Sequence, residues 1–130
     1  MKLVRYCLDT HALVWYFRKR QTLSLKAELI FDEIFTGKSI GVISPITLLE
    51  AYHISLKDKN FVFTRFQDFM KRDNIFIVPF DQTLLPFCYD LSKKADIHDR
   101  IIAATAIATK SILVTKDEIL RSLSDPETVW

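Results

Sequence analysis

Glycine and proline are nearly absent from this chain, with two and four among 130 residues. So few turn-formers leave little room for long loops, and the regular elements should follow one another closely. With two glycines there is also no Gly-rich loop to cradle a phosphate. Cysteine is limited to Cys7 and Cys88, both in apolar runs and without metal-like spacing; they read as buried free thiols, not a disulfide or a nucleophile. No apolar run approaches the ~20 residues of a membrane-spanning helix. Lys2 and Arg5 precede no apolar core of signal-peptide length before Asp9, so the expectation is a cytoplasmic protein with no membrane contact. Charge of one sign is scarce as well: 18 basic against 16 acidic residues gives +2, too little for a compositional argument about nucleic acid.

What is present is a globular composition, 49% hydrophobic and 26% charged. A chain of this size forms one domain, residues 1–130, burying roughly two-thirds of its unfolded surface. Leu3 to Leu8 reads as a short apolar strand ending on Asp9, with a helix over Ala12 to Phe17. Ser24 is placed to N-cap a helix that Gly37 stops. Ile40 to Ile43 is a second strand, and Ser44-Pro45 supplies N-cap and N1 of the next helix, which ends in Lys57-Asp58-Lys59-Asn60. The stripe Phe61, Phe63, Phe66, Phe69 and Met70 predicts a helix packing aromatics into the core, with a dimer face as the other use. Ile75 to Val78 is a third strand. Asp81 is expected to cap a helix through Leu91 that Pro86 kinks or delays. Ile97 to Thr109 is a helix, Ile112 to Val114 a fourth strand and Lys116 to Leu123 a last short helix; Thr128 to Trp130 is a candidate edge strand. Alternating strands and helices, with strands that are apolar throughout, predict an α/β fold with a parallel sheet covered on both faces.

The acids fall at telling places on this framework. In an open parallel sheet ligands sit outside the carboxyl ends of the strands. Asp9 follows the first strand, Glu50 lies in the helix after the second, Asp96 and Asp99 open the helix before the fourth, and Asp117 follows the fourth. Each has a bland reading: Asp9 or Thr10 as an N-cap, Asp96 as a cap for its helix, Asp117 as a cap for the last one. Glu50 reads otherwise as a solvated helix acid, although it stands between Leu49 and Ala51, where an unpaired charge is costly. His11 and His98 neighbour candidate acids and read as hydrogen-bonding or surface residues, not ligands. If the acids converge, their oxygens suit a hard cation, Mg²⁺ or Mn²⁺. Such a site suits phosphodiester hydrolysis. No His/Cys cluster offers a zinc site.

Four blocks now carry a resemblance: Leu8-Asp9-Thr10-His11-Ala12-Leu13-Val14-Trp15, Ser44 to Glu50, Asp96 to Ala106 and Leu113-Val114-Thr115-Lys116-Asp117. Together, and in this order, they resemble the signature blocks of the PIN-domain family, in particular the VapC-type toxins of toxin–antitoxin modules. The resemblance implies a Rossmann-like three-layer α/β/α domain with a central, mostly parallel sheet of four or five strands. It implies a ribonuclease that uses Mg²⁺ or Mn²⁺, forms a homodimer and is held inactive by a VapB-like antitoxin. By position Asp9, Glu50, Asp99 and Asp117 match the four acids that bind metal and carry catalysis, with Asp96 assisting. Thr10, Ser44 and Thr115 fall where the family places small hydroxyls around the metal waters. Ile97-His98 departs from the family, many members of which carry Pro followed by another residue.

Chemistry together with the resemblance implies that Asp9 and Asp117 ligate one metal while Asp99 and Glu50 hold it through water or form a second position. Attack of activated water on the scissile phosphate leaves a 3′-hydroxyl and a 5′-phosphate. Arg18, Lys19 and Arg20 are candidates to track the RNA backbone, and Arg100 is expected to orient a site acid as its ion-pair partner. Two rivals stand beside this reading. One is a PIN fold that only binds RNA or a partner. The other is a phosphoaspartyl phosphatase-like protein with Asp9 as nucleophile, which would want an acid where His11 stands.

Overall fold

The computed structural model describes residues 2–18 and 22–130. Its centre is β1 (Arg5–Leu8), which lies between β2 (Ile40–Ile43) and β4 (Ile112–Val114) in a five-stranded sheet ordered β3-β2-β1-β4-β5, with β3 at Ile75–Ile77 and β5 at Thr128–Val129. Every pairing is parallel, with Cys7 opposite Val42 on one side and Leu113 on the other. The alternation of side chains along each strand divides the core in two. Leu8, Ile43 and Val114 point into a cluster with Leu13, Phe31 and Phe66. Cys7, Val42 and Leu113 point into the opposite cluster with Ile102, Ala103 and Leu120. Helices α1 (Thr10–Arg18), α2 (Leu25–Phe35), α3 (Pro45–Lys57) and α4 (Phe63–Met70) supply the first cluster, and α6 (Ile97–Ala108) and α7 (Glu118–Ser122) the second. The fold is therefore the expected three-layer α/β/α sandwich. Both cysteines are free and buried.

Local sequence accounts for most boundaries. Ser24 accepts from Ala27 N as N-cap of α2. At its far end the amides of Gly37 and Lys38 return to the carbonyls of Ile34 and Glu33, a Schellman closure that needs a left-handed residue, supplied by Gly37 at φ 78°. The phenylalanine stripe is core: Phe17 makes edge contacts with Phe61, Phe66 and Phe69. Among the local details that differ from expectation, three have clear causes. Helix α1 begins at Thr10, not Ala12, because the Asp9 carbonyl already accepts from Leu13 N. Asp81 caps only a turn, binding Thr83 N, and Pro86 confines α5 to Leu85–Tyr89. Ser44 occupies the N-cap of α3 without a side-chain cap bond, since the Thr47 amide it would take is bound by its own carbonyl. Among the described residues no helix is long and apolar enough to cross a membrane.

The strand order creates the site. The chain lays β2 and then β3 on one side of β1, and then crosses back to lay β4 and β5 on the other. Between β1 and β4 the winding reverses direction, and a crevice opens outside their carboxyl ends.

Candidate active site

Asp9 sits in that crevice one residue beyond β1, its amide bound to the Val114 carbonyl of β4 at 3.1 Å. It is only 6% exposed. Thr115, one residue beyond β4, donates its hydroxyl to Asp9 Oδ2 at 2.7 Å and accepts from the Asp117 amide at 3.0 Å. One buried hydroxyl thus ties Asp9 to Asp117. Asp117 N-caps α7 through Leu120 N at 2.9 Å. From the α3 side, Glu50 Oε1 accepts from Thr10 Oγ1 at 2.7 Å, and that hydroxyl lies 3.1 Å from Thr47 Oγ1. Glu50 Oε2 lies 3.1 Å from His98 Nδ1. Asp96 N-caps α6 by accepting from the Asp99 amide at 2.8 Å, which places Asp99 in the first turn.

These acids line one cavity of about 240 Å³: Asp9, Glu50, Asp96, Asp99 and Asp117, with Thr10 and His98. Their electrostatics are unfavourable. Burial pushes the Asp9 carboxyl above its ordinary range, partly offset by the Thr115 hydrogen bond. Asp99 is pushed up to about 6 by burial and by the charges of Asp117, Asp96, Asp9 and Glu50. Among the described residues the ion pairs are Arg18–Asp58, Lys71–Asp68 and His98–Glu50, so no lysine or arginine neutralises Asp9, Asp99 or Asp117.

A hard divalent cation fits this donor set by charge and by chemistry, because every candidate donor is oxygen. Among the described residues no three His, Cys, Asp or Glu side chains are set to enclose an ion together.

Comparison with known proteins bears on the family and the fold. The family model for the PIN domain matches residues 6–126. This chain belongs to the PIN domain family. PIN domains are generally nucleases. No curated protein matches the sequence. Among solved structures, the fold is similar to a chain in the crystal structure of VapBC2 from Rickettsia felis bound to a DNA fragment from their promoter. The TM-score is 0.72 at 20% identity, covering 97% of this chain and 98% of that one.

In this PIN domain the fold gathers Asp9, Glu50, Asp96, Asp99, Asp117 and Thr10 at one cavity, with Thr115 fixed behind Asp9. Three of the expected residues lie away from the cavity's acids or are engaged elsewhere. The hydroxyl of Ser44 is fully buried without a hydrogen-bond partner and does not line the cavity, because Ser44 closes the end of β2 and faces the interior. Arg100 orients no acid. Its guanidinium donates to the carbonyls of Cys88, Leu91, Ser92 and Ala95, clamping the loop between α5 and α6, so it positions Asp96 and Asp99 only by holding the chain ahead of them. Arg18 closes the far end of α1 and pairs with Asp58 at 2.8 Å; nine residues at 1.5 Å per residue put it roughly 13 Å from Asp9. Lys19 and Arg20 lie outside the described residues.

Sequence reading missed Thr47, which completes the hydroxyl pair under Glu50, and His98 as its partner. It also missed Lys116, which with Trp15 walls a cleft beside the acids. All three stand near candidate acids or hydroxyls in the signature blocks, and His98 was expected to hydrogen-bond, but its partner lies 48 residues away.

Proposed function

We propose that this PIN domain is a metal-dependent endoribonuclease and the toxin of a type II toxin–antitoxin pair. The reading rests on one observation above the others: four carboxylates, Asp9, Glu50, Asp99 and Asp117, share a cavity at the sheet's switch point, and among the described residues no lysine or arginine is paired to any of them. Such a site is organised to receive positive charge, and a phosphodiester is a substrate that needs it.

Asp9, Asp117, Asp99 and Glu50 would hold Mg²⁺ or Mn²⁺, Asp9 and Asp117 as ligands of one ion and Asp99 and Glu50 through water or at a second position, with Asp96 adding negative charge at the rim. When bound, the ion activates a water and stabilises charge developing on the phosphate. The chain's own work is positioning. Thr115 fixes Asp9 by donating a hydrogen bond, Asp117 is fixed by its amide and its cap, and Thr10 anchors Glu50. Asp99, with a carboxyl raised to about 6, is the acid most in need of a cation. Hydrolysis of RNA here leaves a 3′-hydroxyl and a 5′-phosphate.

A VapB-like antitoxin is the proposed partner, and the likeness to a chain of a VapBC2 complex supports it. The homodimer and the cytoplasmic setting belong to the same reading. Leu49, Tyr52 and Leu56 lie exposed along one face of α3, apolar surface of the kind that protein partners cover.

The test uses the purified chain with a structured RNA pool in Mg²⁺, in Mn²⁺ and in EDTA. Metal-dependent cleavage that is lost in both Asp9→Asn and Asp99→Asn is the expected result. Cleavage surviving both substitutions sinks the assignment of these acids. Retained RNA affinity without turnover in the wild type favours the binding-only reading.

A further inference from the structure

A second cleft of about 400 Å³ adjoins the acidic cavity and shares Asp9, His11 and Asp117 with it. Its remaining walls are Ala12, Trp15 and Lys116. His11 and Trp15 stand four residues apart on α1 and so face the same way, with ring centroids 5.9 Å apart. Trp15 is held from behind by Trp130, which meets it edge-on at 5.9 Å and 70°. The Lys116 ammonium rests 6.0 Å from the indole centroid, at the outer limit of a cation–π contact, and the residue is exposed. It is weakly held and free to serve another anion.

We propose that this cleft seats an unpaired nucleobase of the strand being cut, stacked on Trp15 and flanked by His11, with Lys116 taking the adjoining phosphate. The inference deepens the nuclease reading and rests on it. A volume of about 400 Å³ lies in the range of small-ligand sites, and an indole pinned by a neighbour presents a stacking face at little entropic cost. Stacking on aromatic side chains is how single-stranded nucleic acid is gripped without base-edge readout. Lys116 is the cation that lines this cleft, beside acids that repel phosphate. Since the cleft and the cavity share Asp9 and Asp117, a base seated here lies next to the phosphate held at the acids. Stacking on Trp15 takes a base face that pairing and stacking within a duplex cover, so the site favours unpaired RNA.

The experiment measures binding apart from turnover. Fluorescein-labelled single-stranded RNA 12-mers of mixed sequence, an abasic strand of the same length and a duplex are titrated in EDTA and followed by anisotropy. Wild type is compared with Trp15→Ala, Trp15→Phe and Lys116→Gln. Trp15→Ala should weaken single-strand binding about tenfold, with Trp15→Phe keeping most of the affinity and the abasic strand indifferent to either change. Lys116→Gln, at an exposed position, should lower the salt slope by about one. Equal affinity of Trp15→Ala and Trp15→Phe for the single strand overturns the proposal and leaves the cleft to a protein segment. So does an equal loss on the abasic strand. A wild type that cleaves RNA in Mg²⁺ yet shows no preference for single strands overturns this inference alone. One that binds as expected but never cleaves overturns the nuclease reading alone.

Discussion

Asp9 and Asp99 face the same cavity and both hold their protons more tightly than a free aspartate, burial leading in each, but what acts beside burial differs. Asp9 is the more deeply buried, and the Thr115 hydroxyl and the Thr10 backbone partly offset that burial. Asp99 is only half-buried, and after burial four other carboxylates raise it further, with no lysine or arginine paired to it among the described residues. Burial with donors fixes a carboxylate in place, whereas repulsion without donors leaves one dependent on an added charge. The β1–β4 side of the cavity is the fixed wall, and the α6 side is the wall that a cation completes.

The largest expected effect tests both walls together. Asp9→Asn or Asp99→Asn should each reduce metal-dependent RNA cleavage by more than about 100-fold, beyond the range of supporting residues; a gel assay in Mg²⁺ reads it directly. A smaller loss separates the walls. Thr115→Val removes the hydroxyl that holds Asp9 and should cost about 10–100-fold in cleavage or metal affinity, and Thr115→Ser should restore it. Equal activity in the Val and Ser variants would mean that the fixed wall needs no donor.

The third effect concerns the wall that wants charge. A carboxyl raised to about 6 in the folded chain, against an unfolded value near 3.9, binds more protons folded than unfolded between those values. Its contribution to stability therefore grows as pH falls from about 6 toward 4 and is absent well above 6. Asp9, also raised, acts in the same direction. In EDTA the melting temperature should rise from pH 7 to pH 5, and Mg²⁺ should raise it more at pH 7 than at pH 5. For the same reason Asp99→Asn should melt a few degrees higher than wild type in EDTA, although it is inactive. A lower melting point for that variant would show the repulsion to be compensated.

The smallest effect is a control at the opposite end of α6. That helix starts at the acids and ends in a Schellman closure whose left-handed residue is Lys110, at φ 53°. Lys110→Gly should relieve about 1 kcal/mol of backbone strain and raise the melting temperature equally at pH 5 and 7, with or without metal. A pH-dependent gain would mean that the two ends of the helix are coupled.

Much of this was legible because it is local. The strand Ile40–Ile43, the Ser24 cap, the Gly37 stop and the delay imposed by Pro86 follow from a few adjacent residues. The aspartates were legible for the same reason: Asp9, Asp96, Asp99 and Asp117 each stand where a strand ends or a helix begins, and such places project toward one edge of a parallel sheet, whereas Glu50 lies inside α3. Asp96 and Asp117 show that the bland and the functional readings coincide, since both cap a helix and line the cavity. Partners distant in the chain were not legible. Arg100 looked like a partner for the acid beside it, but four carbonyls between Cys88 and Ala95 satisfy its donors better. Arg18 belonged to a basic run, yet Asp58 takes it. Ser44 matched a pattern of small hydroxyls, and only the packed sheet shows that its oxygen is buried away from the cavity.

The sequence by itself determined the α/β alternation, the continuously apolar strands and the aspartates at element ends, because periodicity and capping act over a few residues. Only the tertiary structure decided the strand order that reverses between β1 and β4, the hydroxyl that joins Asp9 to Asp117, and the meeting of Trp15 with Trp130 and Lys116. Those depend on contacts across more than a hundred residues of chain, which no local pattern encodes.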